Sequence, residues 1–494
     1  MVIPAGNVIP DVIQVGISDE MSFGSRGLLT DLNSFIQIDK TFNETDFISP
    51  VSIVGEINMQ GLTNSRRLIL VFSILLFPVM VFVSGCGKSQ DTGKSTVTLV
   101  VFGDTKHWKP LTDSFMKKTP GIDVRLLGFP GEGYYEKISA MYAGGTPPDV
   151  LWINTKAAEF ASRGLLLDLT PYVERDKEEM VLSDIYPQLL EACKYKGRYY
   201  WFPVNVNADI MFYNKTLFDE AKVPYLDENT TYDDFVDIAK KLTRDTDGDG
   251  RIDQYGVWVY KVADWILGHV LRWGGDVFDS EVSRCLIDSP ENIEAIQWYV
   301  DLLKTHKVVP SAATLESQSD ISMFMSGRLG MFHCGWYVSS LFKKGKALDW
   351  DVAPVPKHPG RPRITYGGMN YFLISKTTKA PEAAWALVKH VTSVEGQTYF
   401  MENGFDMAVR KQVTERMSEI VTFPEHRQVV ADAIQSCRLI PEFPLRSEAM
   451  EIFKQEFDNI YYKDTPVAKA CKRAAERVNK LLGNEAGKNS IAND

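Results

Sequence analysis

Val97-Thr98-Leu99-Val100-Val101-Phe102 decides the fold. β-branched and apolar side chains on consecutive positions predict a strand buried on both faces. Downstream, a helix is predicted around Trp108 to Lys118 and a second strand from Asp123 to Leu127. Tyr134 to Ala143 reads as a helix ended by Gly144-Gly145 and the turn Thr146-Pro147-Pro148. Asp149-Val150-Leu151-Trp152-Ile153 is a third strand. Repetition of strand then helix predicts an α/β fold, a parallel sheet covered by helices on both faces. Further along, Thr231 and Asp234 form a capping box ahead of Phe235, Ile238, Ala239 and Leu242 at helical spacing. Pro381 suits a first helical turn, and Ala384, Leu387, Val388 and Val391 make one apolar stripe. No internal repeat is seen.

Upstream of the strand, Arg66 and Arg67 precede the apolar run Leu68 to Val83, which ends in Val83-Ser84-Gly85-Cys86. A basic edge, an apolar stretch and small residues before a cut make a secretory signal peptide, here residues 59–85. A cysteine in the last position marks a bacterial lipoprotein, with Cys86 lipidated and the chain held at a membrane surface outside the cytoplasm. A membrane-spanning helix is the alternative, but the run is shorter than the ~20 residues normally needed, and Pro78 interrupts it. Met59 is the expected start of translation. Residues 1–58 are then an over-called start or an unstructured extension. Residues 86–95 are a small, polar tether. The tether's GKS stretches do not make a phosphate loop, because Gly87 and Gly93 have five residues between them rather than four and no core strand precedes them.

The chain carries 64 acidic and 54 basic residues, a formal net charge of −10. That balance argues against nucleic acid as a partner, since phosphate binding needs a basic face. Besides Cys86 there are Cys193, Cys285, Cys334, Cys437 and Cys471, widely spread and without a CxxC pair. Free buried thiols are expected, with one disulfide left open. No GxSxG or HExxH motif appears, none of the seven histidines has ligand spacing, and nothing marks a carboxylate pair. No catalytic residue is singled out, and the chain reads as a non-enzyme.

Four segments carry a resemblance. They are Pro147-Pro148-Asp149-Val150 with Ala161 to Leu169, Gly197 to Lys215 (GRYYWFPVNVNADIMFYNK), Phe324 to Trp336 with Gly330 where Ala is usual, and Tyr366 to Lys376 followed by Ala383-Ala384-Trp385. Together with the lipobox and tether they resemble the extracellular solute-binding proteins of ABC sugar importers, the group that includes maltodextrin-binding proteins. The resemblance runs from Thr96 to about Gly483. It implies a type II periplasmic-binding-protein-like fold of two lobes. Residues 96–205 and 361–410 would form lobe 1, and residues 206–360 and 411–485 lobe 2, with 486–494 a flexible tail. Phe202 to Asn207 and Ala353 to Pro356 would be hinge segments. It also implies a monomer that takes a sugar or oligosaccharide between the lobes, delivers it to ABC permease subunits and needs no cofactor.

A sugar site needs flat aromatic surfaces and side chains that both donate and accept hydrogen bonds. The resemblance makes Trp336, just past a strand, a stacking residue; core packing is the other reading. Trp265 and Trp273 are open between cleft and core. Asn154 follows a strand at its carboxyl end, where ligands of open α/β folds bind. Asn205, Asn207 and Asp209 lie on the expected crossing between lobes. Gly367-Gly368-Met369-Asn370 lets the backbone approach a ligand closely. Separately, Asp245, Asp247, Asp249, the carbonyl of Arg251 and Asp253, with Gly250 at position 6, resemble an EF-hand loop. Gly256 stands where the bidentate Glu belongs, so the loop holds a structural calcium or is a plain turn. Two other functions remain in view. One is a cell-surface glycan-degrading lipoprotein. The other is a glycerol-phosphodiester-binding protein of the same fold, for which Arg410 or Arg272 would supply the cation.

Overall fold

The computed structural model describes residues 94–311, 314, 318–343 and 348–491, with side chains described as far as residue 484. Cys86, the signal segment and residues 1–58 lie outside the described residues. The described residues form twelve strands: β1 (Ser95–Phe102), β2 (Ile122–Phe129), β3 (Val150–Ile153), β4 (Lys194–Tyr195), β5 (Arg198–Tyr199), β6 (Trp201–Asn214), β7 (Tyr255–Trp258), β8 (Leu329–Gly335), β9 (Trp350–Ala353), β10 (Thr365–Ile374), β11 (Met407–Ala408) and β12 (Cys437–Leu439). The deciding run is β1. Val97, Leu99, Val100 and Val101 are fully buried, and the strand runs parallel to β2 and β3. Helices Lys109–Lys118 and Tyr134–Ala143 alternate with these strands as predicted.

The parallel pattern stops at β3. β10 lies antiparallel to both β3 and β6, giving the order β2-β1-β3-β10-β6-β8-β7. The sheet is therefore mixed. Everything between Asn214 and Thr365 separates β6 from β10, so local strand–helix repetition could not anticipate their pairing.

Local signals set the helices. Thr231 caps Tyr232–Leu242: its side chain accepts from the Asp234 N–H, and Asp234 accepts from the Thr231 N–H. Pro381 opens Pro381–Val391, which buries Ala384, Leu387, Val388 and Val391 on one side. Gly256 on β7 has a packing reason: a Cβ there would sit 2.1 Å from the Ala239 carbonyl oxygen. Near the carboxyl end, Arg446–Lys463 and Val467–Ile491 pack on one another and on Ala263–Trp273 and Pro290–Lys304. Among the described residues no helix is long and apolar enough to cross a membrane.

β6 ties the sheet together. Trp201 to Ala208 pair with β10, whereas Asp209 to Tyr213 pair with β8. Asp209 stands at the change of partner. Its Oδ1 accepts from the Tyr366 N–H of β10 at 2.9 Å. Its Oδ2 lies 3.0 Å from His333 Nε2 on β8 and 3.1 Å from Arg272 Nη1 on helix Ala263–Trp273. All three side chains are buried. Burial, reinforced by the Arg272 charge, pushes His333 down to about 4, although Asp209 opposes the shift. At neutral pH the histidine is uncharged, and Arg272 balances Asp209. Asp209→Ala would leave a buried guanidinium unpaired, and a loss of about 3–5 kcal/mol in urea unfolding is expected. A loss below about 1 kcal/mol would show that solvent reaches Arg272.

Candidate functional site

Side chains alternate along β6, so Asn205, Asn207 and Asp209 share one face while Val204, Val206 and Ala208 pack into the core. That polar face is the floor of a cleft of about 520 Å³, within the usual range for ligand pockets. The carboxyl ends of the parallel strands reach it from one side, with Phe102 from β1 and Asn154 and Thr155 after β3. Tyr366, Gly367, Gly368, Met369 and Asn370 of β10 run along it. Val262, Asp264 and Trp265 enter from the start of helix Ala263–Trp273, and Tyr337 from the turn after β8. Phe405 and Asp406 come from the turn before β11, and Glu442 and Arg446 from the segment after β12.

Hydrogen bonds fix much of this surface. Tyr135 OH donates to Asn154 Oδ1 at 2.7 Å. Trp152 Nε1 donates to Asn205 Oδ1 at 3.3 Å, and Asn205 Nδ2 donates to Asp406 Oδ2 at 2.9 Å. Asn207 lies over Gly335, where a Cβ would sit 1.6 Å from its Oδ1. That oxygen is buried with no hydrogen-bond partner among the described residues. Arg446 is the one cation lining the cleft among the described residues. It is bound to Asp264 at 2.6 Å and to Glu442 at 3.3 Å. Burial raises the Glu442 carboxyl, with Arg446 opposing.

The cleft gathers Asn154, Asn205, Asn207, Asp209, Trp265, Gly367, Gly368, Met369 and Asn370. It does not take in Trp336, which corrects the stacking role expected of it. Trp336 is 0 % exposed and stacks on Phe212 of β6 at 6.4 Å. Its neighbour Tyr337, 37 % exposed, faces the cleft instead, with its oxygen accepting from Cys334 Sγ at 3.1 Å. Trp273 is also core. It packs at 4.6 Å against Tyr232 and at 4.2 Å against His358, because helix Ala263–Trp273 presents only its first turn to the cleft. Gly367 is a packing glycine, since a Cβ would meet Cys437 Sγ at 2.1 Å, whereas a Cβ on Gly368 meets nothing within 4 Å. Neither arginine proposed for a phosphate serves the cleft. Arg410 is buried on Thr392 O, Met180 O and Asp184, and Arg272 is held by Asp209.

Sequence reading missed Phe102, Thr155, Asp264, Tyr337, Tyr366, Asp406, Glu442 and Arg446. The rule that ligands meet strand carboxyl ends reaches Phe102 and Thr155. Tyr366 lies on β10 next to Gly367, and the remaining five sit at helix starts and turns far apart in the chain, with no local pattern to mark them.

The acidic loop lies away from the cleft, and none of its residues lines it. Carboxylate oxygens of Asp245, Asp247 and Asp253 converge within 4.8 Å. Asp249 stands apart from this group, its Oδ1 accepting from the Arg251 N–H at 2.8 Å. Asp245 accepts from the Gly248 and Gly250 N–H groups, and those bonds lower its carboxyl. The loop thus closes on its own backbone, and Gly256 offers no twelfth-position carboxylate. The three convergent aspartates have the oxygen chemistry for a hard cation, with the rest of its shell left to water and carbonyls. Cys193, Cys285, Cys334, Cys437 and Cys471 are all buried and form no disulfide among the described residues, and burial raises their thiols.

Residues 102–398 match the family model described as bacterial extracellular solute-binding protein. The chain belongs to this family. Among the relatives of this solute-binding protein is the maltotriose-binding protein of Pyrococcus abyssi, 26% identical over 294 residues, which are 58% of this chain and 59% of that protein. Among solved structures, an ABC substrate-binding protein of Listeria monocytogenes in complex with cycloalternan is 26% identical, with a TM-score of 0.71. It covers 79% of this chain and 99% of that one. Maltose-bound MalE3 of T. maritima is 25% identical, with a TM-score of 0.65, over 78% of this chain and 100% of that one. The fold is therefore the two-lobed α/β fold of MalE-like proteins, as expected from the sequence.

The two neighbouring aromatics should separate in mutagenesis. Trp336→Ala is expected to lose about 3–5 kcal/mol of stability, as large-to-small core changes do. Tyr337→Ala should stay folded, with its effect confined to the cleft. Equal destabilisation in thermal melts would refute the division.

Proposed function

We propose that this solute-binding protein captures a sugar or oligosaccharide in the cleft and passes it, chemically unchanged, to the permease of an ABC importer. The observation that carries the reading is the composition of the cleft: a strand-borne row of Asn205, Asn207 and Asp209 facing the exposed rings of Phe102 and Tyr337. Amides and carboxyls pair with hydroxyl edges, and rings cover apolar sugar faces. The relatives named above bind maltotriose, cycloalternan and maltose, which supports the same ligand class. A phosphodiester fits less well, because Arg446 is already engaged by Asp264 and Glu442.

In this reading, residues 96–205 with 361–410 and residues 206–360 with 411–485 move as two bodies about β6. Greater ligand affinity for the closed form drives closure. Cys86 carries the lipid that keeps the protein outside the cytoplasm at the membrane, within reach of the permease.

A thermal-shift screen over neutral mono- and oligosaccharides, read also by tryptophan fluorescence, tests capture. A bound sugar at about 100 times its Kd adds about 2.7 kcal/mol of stability. Recovery of the sugar intact separates capture from glycan hydrolysis. No shift with any sugar, or cleavage of one, overturns the proposal. Calcium in the Asp245–Asp253 loop would be structural only. Adding about 1 mM calcium, the range of extracellular calcium modules, to chelator-treated protein should raise the melting temperature without changing sugar affinity. An unchanged melting temperature removes the ion.

A further inference from the structure

Asp406 is the one carboxyl of the cleft with no cation beside it: among the described residues, no ion pair reaches it. It follows the turn Asn403-Gly404-Phe405 and enters β11, whose Met407 and Ala408 pair with Val206 and Asn205. One step back along that antiparallel register sets Asp406 opposite Asn207. The side chain is 94% buried, at 6 % exposure, yet belongs to the cleft surface. Its Oδ2 accepts from Asn205 Nδ2, whose own Oδ1 is engaged by Trp152 Nε1. Among the described residues its Oδ1 has no hydrogen-bond partner, and neither has Oδ1 of Asn207. Two orphaned oxygens in register at the floor of a ligand cleft are costly unless a ligand completes them.

We propose that Asp406 meets the ligand as an uncharged carboxylic acid, donating Oδ1–H to a sugar oxygen while Asn207 Oδ1 accepts a neighbouring sugar hydroxyl, and that this pair restricts the cleft to neutral saccharides. The inference rests on the saccharide reading above and goes beyond it by naming the ligand's charge and the groups that select it. Oδ2 is committed as an acceptor, so the acid proton belongs on Oδ1, where only the cleft can supply an acceptor. Burial holds the Asp406 proton far above the usual carboxyl range, although Asn205 and the Met407 N–H pull the other way.

The groups facing Asp406 supply no compensating charge. Tyr337 lies near it after β8, and burial raises its phenol, so it brings no charge. His107 sits behind Phe405, ring to ring at 4.4 Å. Elsewhere in the cleft Asp209 is paired with Arg272, and Asp264 and Glu442 share Arg446. A ligand carboxylate or phosphate would find no free cation to balance it, since Arg272 and Arg446 are both engaged, and a ligand ammonium would find no ionised partner in Asp406.

Asparagine copies the neutral acid in shape and in donor and acceptor. The test compares wild type, Asp406→Asn and Asp406→Ala by calorimetric titration with maltose, maltotriose and arabinotriose from pH 5 to 9. Wild-type affinity for the sugar that binds should hold while Asp406 keeps its proton and fall only where rising pH removes it. Asp406→Asn should match wild type at pH 5 and keep that affinity to pH 9. Asp406→Ala should bind about tenfold more weakly at pH 5, the worth of one hydrogen bond. If Asp406→Asn is as weak as Asp406→Ala at every pH, the carboxylate is an acceptor and the proposal fails while sugar capture stands. If wild type binds none of the three sugars, capture of these saccharides fails and the proposal falls with it.

Ligand-free melts give an independent readout. The folded chain keeps the Asp406 proton, whereas the unfolded chain releases it above about pH 4. The folded value is the higher one, so wild-type stability falls as pH rises above that point. Asp406→Asn should melt with wild type near pH 4 and above it at pH 8. Parallel melting curves across the range would overturn the neutral acid.

Discussion

One carboxylate holds the halves of this molecule in register. Asp209 takes a backbone N–H from β10 on one oxygen and faces Arg272 and His333 with the other. It does so where β6 leaves one set of partners for the next. A buried ion pair is seldom a net source of stability, because both charges lose their water. Its value here is positional. A hydrophobic residue at 209 could fill the space, but it could not bind the start of β10 and the arginine at once. The low proton affinity of His333 belongs to the same arrangement, since a second cation beside Arg272 would upset the balance.

From that pin the geometry of the site follows. A strand has two faces, and β6 spends one on the core and the other on the cleft. The spacing Asn205, Asn207, Asp209 is therefore both a folding constraint and a binding surface. The glycines around it clear space: Gly335 lets Asn207 lie flat over β8, and Gly367 lets Cys437 pack beneath β10. The aromatic side chains divide by the same logic. Trp336 and Trp273 fill volume behind the cleft, while Phe102, Trp265 and Tyr337 stop at its edge.

Much of this was legible before any coordinates. The β1 run, the capping box at Thr231 and the proline at 381 act through neighbours a few residues away, and they read correctly. The polar row on β6 was also readable, because its period of two is a property of the strand itself. Trp336 misled because one residue decides which way a turn after a strand faces, and Tyr337 took the outward place. Asp406, Glu442 and Arg446 carried no local mark. Pairings as distant as Asn205 with Asp406, or Asp264 with Arg446, bring them to the site. The mixed sheet was missed for the same reason, since β10 finds β3 and β6 only after the chain has built everything between.

Gly368 differs from the other glycines of the cleft. No atom stands where its side chain would be, and the residue pairs with Asn207 of β6. A methyl or hydroxymethyl group there would project into the binding volume without touching the strand's ladder. Bore and scaffold are thus uncoupled at this point, and the length or branching of the cargo could drift through substitutions at a single codon while the architecture stays unchanged.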